Sequence, residues 1–508
     1  MLTTDSSSPF KDDDRIEIDV IVPVYNASLT LRETVLSATR QVGLDPQDHR
    51  RFHVYICCYD DGSTDDSWEL MTQLAHEHES STKAISTVDG MTSSSDLATR
   101  NDRTYLPSTI LVAKAEDGVS RGAGFARNRA VDLRRNVSSS SGTTRLIAML
   151  DSDDAMYPHR LAVQSQYLCN IPDPDVRKRT LVGCQIVRDP LDSTWHYTHW
   201  ANSLSDERLR LEQFREVTLL QPTWMMDRSW FHHLGGYLEA PPPNQAKFDI
   251  KTFSDSLNES KDRLELIHTD CETAETLRVA EDTRFFFKHL HAGGYLRLMR
   301  TEEPLMVYRH REGQSQSSQT PRKLLRHLRA RAFERMVLDQ DTGTAWSQFC
   351  VWGAGRDGKD FIKSLQPRFQ KKIVCIVDVD QKKIDVGQYH NKELGLRIPV
   401  VHYSLLARDP QIRETLRNSF ELGTDVGEPG FGRINKSKEE DAETDAPRPS
   451  SSRPTKRRKV SRAKNLDESI LPTLPVVVCV AMYRTGGALE HNVKSIGRCE
   501  GIDLWHFS

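Results

Sequence analysis

Three clusters of carboxylates in this chain of 508 residues are placed where chemistry could be done. The first, Asp151-Ser152-Asp153-Asp154, directly follows the apolar run 146–150. Three carboxylates within four positions repel one another unless a cation lies among them, so the cluster is a candidate for Mn2+ or Mg2+ held by hard oxygens. The second, Asp60-Asp61, follows the run 52–58 and offers acceptors for a base and a ribose. The third, Glu281-Asp282, precedes Phe285-Phe286-Phe287 and offers a general base. Each also has a plainer reading. A solvated acidic turn, an Asx turn with Ser63 or Thr64 as helix cap, and an acidic helix start would give the same letters.

Taken as a set, the clusters match what transfer from a nucleotide sugar requires. A divalent cation neutralises the diphosphate leaving group. A pocket at the carboxyl edge of a sheet holds the base and ribose. One further carboxylate accepts the proton of the acceptor hydroxyl.

The elements that must position these groups alternate. Residues 18–24 form a β-branched run expected to be a strand buried on both faces. Thr30-Leu-Arg-Glu33 reads as a capping box opening a helix through Ala38. A strand at 52–58, a turn over 60–67 and a helix from Trp68 follow, then a polar insertion over 80–102. Further strands are expected at 109–113 and 146–150. The alternation predicts an α/β domain with a largely parallel sheet. Residues 181–310 are mixed, with loops expected at 241–243 and 255–261.

The ordered series Val20-Ile-Val-Pro23-Val-Tyr25-Asn26, Asp60-Asp61-Gly-Ser-Thr-Asp65, Ala126-Arg127-Asn128, Leu150-Asp151-Ser-Asp153-Asp154, Gly235-Gly236-Tyr237 and Glu281-Asp282 resembles glycosyltransferase family 2. The resemblance implies a GT-A fold and an inverting, metal-dependent transfer from a UDP-sugar. It implies that Pro23, Tyr25 and Asp61 line the uridine site, that Arg127 and Asp151 approach the donor, and that Asp151 and Asp153 form the metal motif. Asp282, beside Glu281, is implied as the base. Members often carry a metal- or diphosphate-binding His after a Tyr-Arg pair; here Tyr308-Arg309-His310 puts His310 one position early.

A second α/β unit begins at Phe349. Gly353-Ala-Gly355-Arg-Asp-Gly358 follows an expected strand at 349–352 and opens an expected helix at 360–365, and Asp378 ends the next strand. That is a dinucleotide fingerprint in its structural context, a candidate second nucleotide site; a Rossmann-like unit without a ligand is the alternative. With this unit included, the chain is similar to family members for which a galactose donor and queuosine in a tRNA anticodon are implied. An N-acetylglucosamine donor is implied by another description of the same members.

Composition limits the partners. Sixty-nine Lys+Arg against 72 Asp+Glu give a net charge of −3, so any nucleic-acid contact needs a local patch. The segment 322–331 supplies one, with Arg322, Lys323, Arg326, Arg329 and Arg331 as candidate RNA contacts. An ordinary amphipathic linker helix packing Leu324, Leu325 and Leu328 is the alternative. The basic run 454–460 reads as an import signal, a phosphate tether or a solvated linker. Residues 1–15 hold no apolar core of a secretory signal, and no run approaches the roughly 20 residues that span a bilayer. Nine scattered cysteines without a CxxC pair suit reduced thiols. These features predict a cytoplasmic enzyme, with the nucleus as a further location, without membrane contact and with no signal for its oligomeric state.

The expected organisation is an unstructured 1–15, a catalytic GT-A domain over 16–320, a basic helical linker over 321–345 and a Rossmann-like domain over 346–508. A disordered insertion is expected over 424–467, where charge, Ser and Pro dominate. The competing functions are a UDP-N-acetylglucosamine or other UDP-sugar transferase acting on protein or glycan, and a nucleotide-sensing protein with an inactive first domain.

Overall fold

Burial on both faces places β1 (Arg15–Val24) in the interior of the first sheet: Ile16, Ile18, Val20, Ile21, Val22 and Val24 are at most 1% exposed. The computed structural model describes residues 15–45, 48–89, 105–135, 142–239, 276–310, 320–339, 345–421, 466–481 and 486–507. Two units are resolved, Met1–Met336 and Val337–Ser508, dividing within the stretch expected to link two domains.

In the first unit β1 pairs in parallel with β2 (Phe52–Asp60) and β4 (Thr143–Met149), and β2 pairs in parallel with β3 (Ser108–Lys114). The full order is β3-β2-β1-β4-β8-β6-β9, where β6 is Thr180–Cys184, β8 Met225–Asp227 and β9 Tyr295–Met299. β8 runs antiparallel to both its neighbours, so the sheet is mixed beyond β4. The chain moves outward from β1 through β2 to β3 and then returns to β4 on the other side. The resulting switch point puts a crevice at the carboxyl ends of β1 and β4, where α/β sheets hold ligands. A small sheet, β5-β10-β7 (Ala155–Met156, Met306–Arg309, Ile186–Asp189), flanks that crevice on the β4 side.

Two local expectations change. Thr30 precedes the Leu31–Thr39 helix but makes no side-chain cap. Its hydroxyl instead donates to the Ser152 carbonyl at 2.9 Å, and Glu33 pairs with Arg309 at 2.6 Å. The capping-box letters therefore serve tertiary contacts. The Ser67–Asp89 helix also continues into the segment read as a polar insertion. The expected loops at 241–243 and 255–261, and nearly all of 424–467, lie outside the described residues.

The second unit has the order β13-β14-β12-β11-β15-β16. Here β11 is Phe349–Trp352, β12 Ile373–Asp378, β13 Gln388–Asn391, β14 Leu396–His402, β15 Val476–Val478 and β16 Leu504–His506. All pairs except β13/β14 are parallel, and β11, first in sequence, lies between β12 and β15. That is the strand order of a Rossmann-like half with its extension. Among the described residues no helix is long and apolar enough to cross a membrane.

Candidate active site

At the ends of β1 and β2 two loops are joined by side chains. Asn26 adopts a left-handed conformation (φ 50°), and its Oδ1 accepts from the Thr64 amide at 2.8 Å. In return the Asn26 and Ala27 amides donate to Ser63 Oγ and Ser67 Oγ, at 2.9 and 2.8 Å. Asp60 accepts from the Ser63 amide at 3.2 Å, so this carboxylate is structural. Ser63 is thereby a loop clasp rather than a helix cap. Pro23 stands opposite Tyr59 in the ladder, and Tyr25 at its end is 50% exposed.

Asp61 is differently used. Its Oδ2 accepts three bonds, from Ser120 Oγ and the amides of Arg121 and Gly122, at 2.8, 2.8 and 2.7 Å. Its Oδ1 is buried and has no partner in the structure. Burial raises the carboxyl pKa, opposed by the Gly122, Ser120 and Arg121 hydrogen bonds. Such a group is an acceptor held in place and left open.

Arg127, on the Ala123–Asp132 helix, joins the other two clusters. One guanidinium nitrogen donates to Asp151 Oδ1 at 2.6 Å and the other to Glu281 Oε1 at 2.7 Å. Burial alone would lower its pKa; Asp151 and Glu281 more than offset that, and the net shift is upward. The next residue, Asn128, clasps the Gly235-Gly236-Tyr237 turn. Its Oδ1 accepts from the Tyr237 amide at 2.9 Å and its Nδ2 donates to the Tyr237 carbonyl at 2.9 Å. Gly236 (φ 68°) is required there, because an added Cβ would lie 2.7 Å from Asn128 Oδ1.

The acidic loop after β4 is braced from two sides. Thr34 Oγ1 donates to the carbonyls of Ser152 and Asp154, at 3.0 and 2.7 Å. Arg309 donates through Nη1 to the Asp153 carbonyl at 2.8 Å and through its amide to Asp154 Oδ1 at 2.9 Å. Asp154 is fully buried, and its pKa is well above the usual range, through burial first and then Asp153 and Asp151. The three carboxylates thus divide: Asp154 is internal, while Asp151 and Asp153 are partly exposed. Arg309, Thr34 and Asn128 were not picked out as working residues from sequence. Asn128 and Arg309 lie within the Ala126-Arg127-Asn128 and Tyr308-Arg309-His310 series, and Thr34 directly follows Thr30-Leu-Arg-Glu33, but no local pattern marks the contacts they make.

Asp282 begins the Glu281–His291 helix, and its Oδ1 accepts from the Thr283 amide at 2.6 Å. Burial, then the Glu281 charge, pushes its pKa up to about 6. A carboxylate of that basicity is ionised at neutral pH and able to take a proton.

His310 follows β10, whose antiparallel pairing with Ala155 and Met156 carries it back along the acidic loop. Its amide donates to the Asp189 carbonyl at 2.8 Å. Among the described residues no three His, Cys, Asp or Glu side chains gather as a ready-made metal cage. Asp151 and Asp153 still suit a divalent ion of the kind held by one or two carboxylates plus substrate phosphate oxygens.

The candidate RNA contacts fall on the Arg322–Phe333 helix. Leu324, Leu328 and Phe333 are buried, and Phe333 meets Phe214 edge-on at 5.2 Å. Arg329 pairs with Glu216 at 2.5 Å and Arg331 pairs with Glu334. Arg322 and Lys323 are exposed, and Arg326 is partly so. The helix is therefore a packed part of the first unit, with Arg329 and Arg331 paired to carboxylates.

Comparison with known proteins now bears on this geometry. Residues 19–86, from β1 through the Asp60-Asp61 loop into the following helix, match glycosyl transferase family 2. That match lies wholly within the first unit, whose fold is mixed α/β. Solved structures of S. aureus TarS residues 1–349 with UDP-GlcNAc and with UDP align at 15% and 14% identity, with TM-scores of 0.35 and 0.34. Each alignment covers 63% of this chain, and 66% and 65% of the TarS chains, just under two thirds of their length.

Proposed function

We propose that the first unit transfers a sugar from a UDP-sugar to an acceptor hydroxyl with inversion. The observation that carries this reading is the Arg127 bridge, which brings the acidic loop of β4 and the start of the Asp282 helix to one place. In the proposed step the acceptor oxygen attacks the anomeric carbon, the bond from that carbon to the diphosphate oxygen breaks, and UDP leaves. The hydroxyl proton passes to the Asp282 carboxylate.

The open Oδ1 of Asp61 supports uracil as the base, since a uracil imide N–H is a donor that such an acceptor lacks. Tyr25 and Pro23 stand at the same loop end. Asp151 and Asp153, with His310 as a further candidate, would hold Mn2+ or Mg2+. That ion would supply charge neutralisation for the departing diphosphate. Arg127 keeps Asp151 oriented, and Arg309 and Thr34 fix the loop backbone so that the carboxylates meet the donor without rearranging.

For the finer assignment we propose galactose transfer to queuosine in a tRNA anticodon, in the cytoplasm. Its support is the sequence resemblance together with exposed Arg322 and Lys323 on a helix of the same unit. N-acetylglucosamine transfer to protein or glycan is the competing assignment. The two separate on one experiment: offer tRNA from cells lacking the gene, and a panel of UDP-sugars, and analyse the nucleosides by mass spectrometry. A hexosyl-queuosine formed only with UDP-galactose supports the finer reading; labelled protein or glycan with unchanged tRNA overturns it.

A further inference from the structure

The second unit contains a cavity of about 230 Å³ at its own switch point, between the carboxyl ends of β11 and β15. It is lined from three strand ends, by Gly353 and Gly355 after β11, Asp378 at the end of β12, and Cys479 after β15, with Lys383 at its side. The three fingerprint glycines are not equivalent. An added Cβ on Gly358 would lie 1.9 Å from the Gly353 carbonyl, and one on Gly353 (φ 115°) would lie 2.8 Å from Val480. Both are glycine because the protein's own packing leaves no room. Gly355 has an ordinary extended backbone and open space around its Cβ position. Nothing in the fold requires glycine there, and the open space faces the cavity and the uncapped start of the Arg356–Ser364 helix.

Asp378 argues against a dinucleotide. In a nicotinamide-type site the acid at the end of the second strand accepts from a ribose hydroxyl. Here Oδ2 accepts from the Ala354 amide at 2.7 Å, and Oδ1 from the Val379 and Asp380 amides at 2.9 Å each. Lys383 Nζ adds a contact at 3.1 Å. The carboxylate is engaged in shaping the glycine loop. Lys383, beside the cavity, is held by Asp378 at 3.1 Å and Asp380 at 3.8 Å, and Arg356 and Asp357 at the helix start complete the charged lining. We propose that this cavity binds a phosphate-bearing mononucleotide, its phosphate against the helix start and Lys383, as a site separate from the sugar donor's.

The test is calorimetric titration of the full chain with ADP and with NAD. One equivalent of ADP is expected to bind, with NAD at least tenfold weaker. Asp61→Asn, which alters only the first unit, should leave ADP binding unchanged. Gly355→Val should abolish it without changing the thermal transition of the free protein, and Lys383→Gln should weaken it about tenfold. No ADP binding, binding that survives Gly355→Val, tighter binding of NAD, or loss of ADP binding in Asp61→Asn would each overturn the proposal. None of these outcomes depends on the transferase reading.

Discussion

Arg127 holds Asp151 at 2.6 Å from a position 4% exposed, with Glu281 on its other nitrogen at 2.7 Å. One buried cation thus sets the spacing between the candidate metal loop and the candidate base. Arg127→Met should lower stability by about 3 kcal/mol, because it leaves buried Glu281 uncompensated. It should also lower transfer by about a hundredfold or more through misplacement. Arg127→Lys should recover little of either, since a point charge cannot span two carboxylates as a guanidinium fork does. Thermal unfolding and single-turnover rates of the two variants check this.

Asp282 predicts a pH profile. With its pKa at about 6, set by burial and then Glu281, the base is ionised above that value and protonated below it. Transfer should therefore fall about tenfold per unit as pH drops below 6, and level off above. Glu281→Gln removes a negative neighbour, so the inflection should move to lower pH. An upward movement would contradict the assignment. Asp282→Asn should keep donor affinity while transfer falls by several orders of magnitude.

Asp153→Ala should remove cation-dependent donor binding, because one hard ligand fewer leaves diphosphate charge uncompensated. Equilibrium binding of UDP with and without Mn2+ reads this directly. The same UDP affinity in the variant, still rising with Mn2+, would contradict the metal role of Asp153.

The fingerprint glycines of the second unit should separate by stability. Gly358→Ala places a Cβ 1.9 Å from the Gly353 carbonyl and should cost on the order of 3 kcal/mol or more. Gly355→Ala meets nothing within 4 Å and should be close to neutral. Urea unfolding followed by tryptophan fluorescence distinguishes them.

Strand content was legible because β-branched runs such as Val20–Val24 are buried on both faces and announce themselves without context. The Phe349–Trp352 strand and Asp378 at the end of β12 were read for the same reason. What the letters could not show was which carboxylate does what. Asp60 and Asp61 are adjacent, yet one is consumed by Ser63 and the other keeps an open oxygen. Asp154 and Asp153 divide likewise, because Arg309, 155 positions on from Asp154, reaches only the first with its amide. Thr30 looked like a cap because local spacing fits a cap; its partner, Ser152, is 122 positions away. The basic helix looked free because Glu216 lies 113 positions from Arg329. Long-range partners decide roles that local pattern leaves open.

The central claim is that the first unit cleaves a UDP-sugar with the help of a divalent cation and Asp153. The direct measurement is nucleotide release from a panel of UDP- and GDP-sugars by the purified full chain, with tRNA from gene-deleted cells present, with Mn2+ and with excess chelator. The account predicts UDP release from one UDP-sugar, loss of that release in chelator and in Asp153→Ala, and none from GDP-sugars. Release that is unchanged by chelator and by Asp153→Ala, or release from GDP-sugars alone, would contradict it.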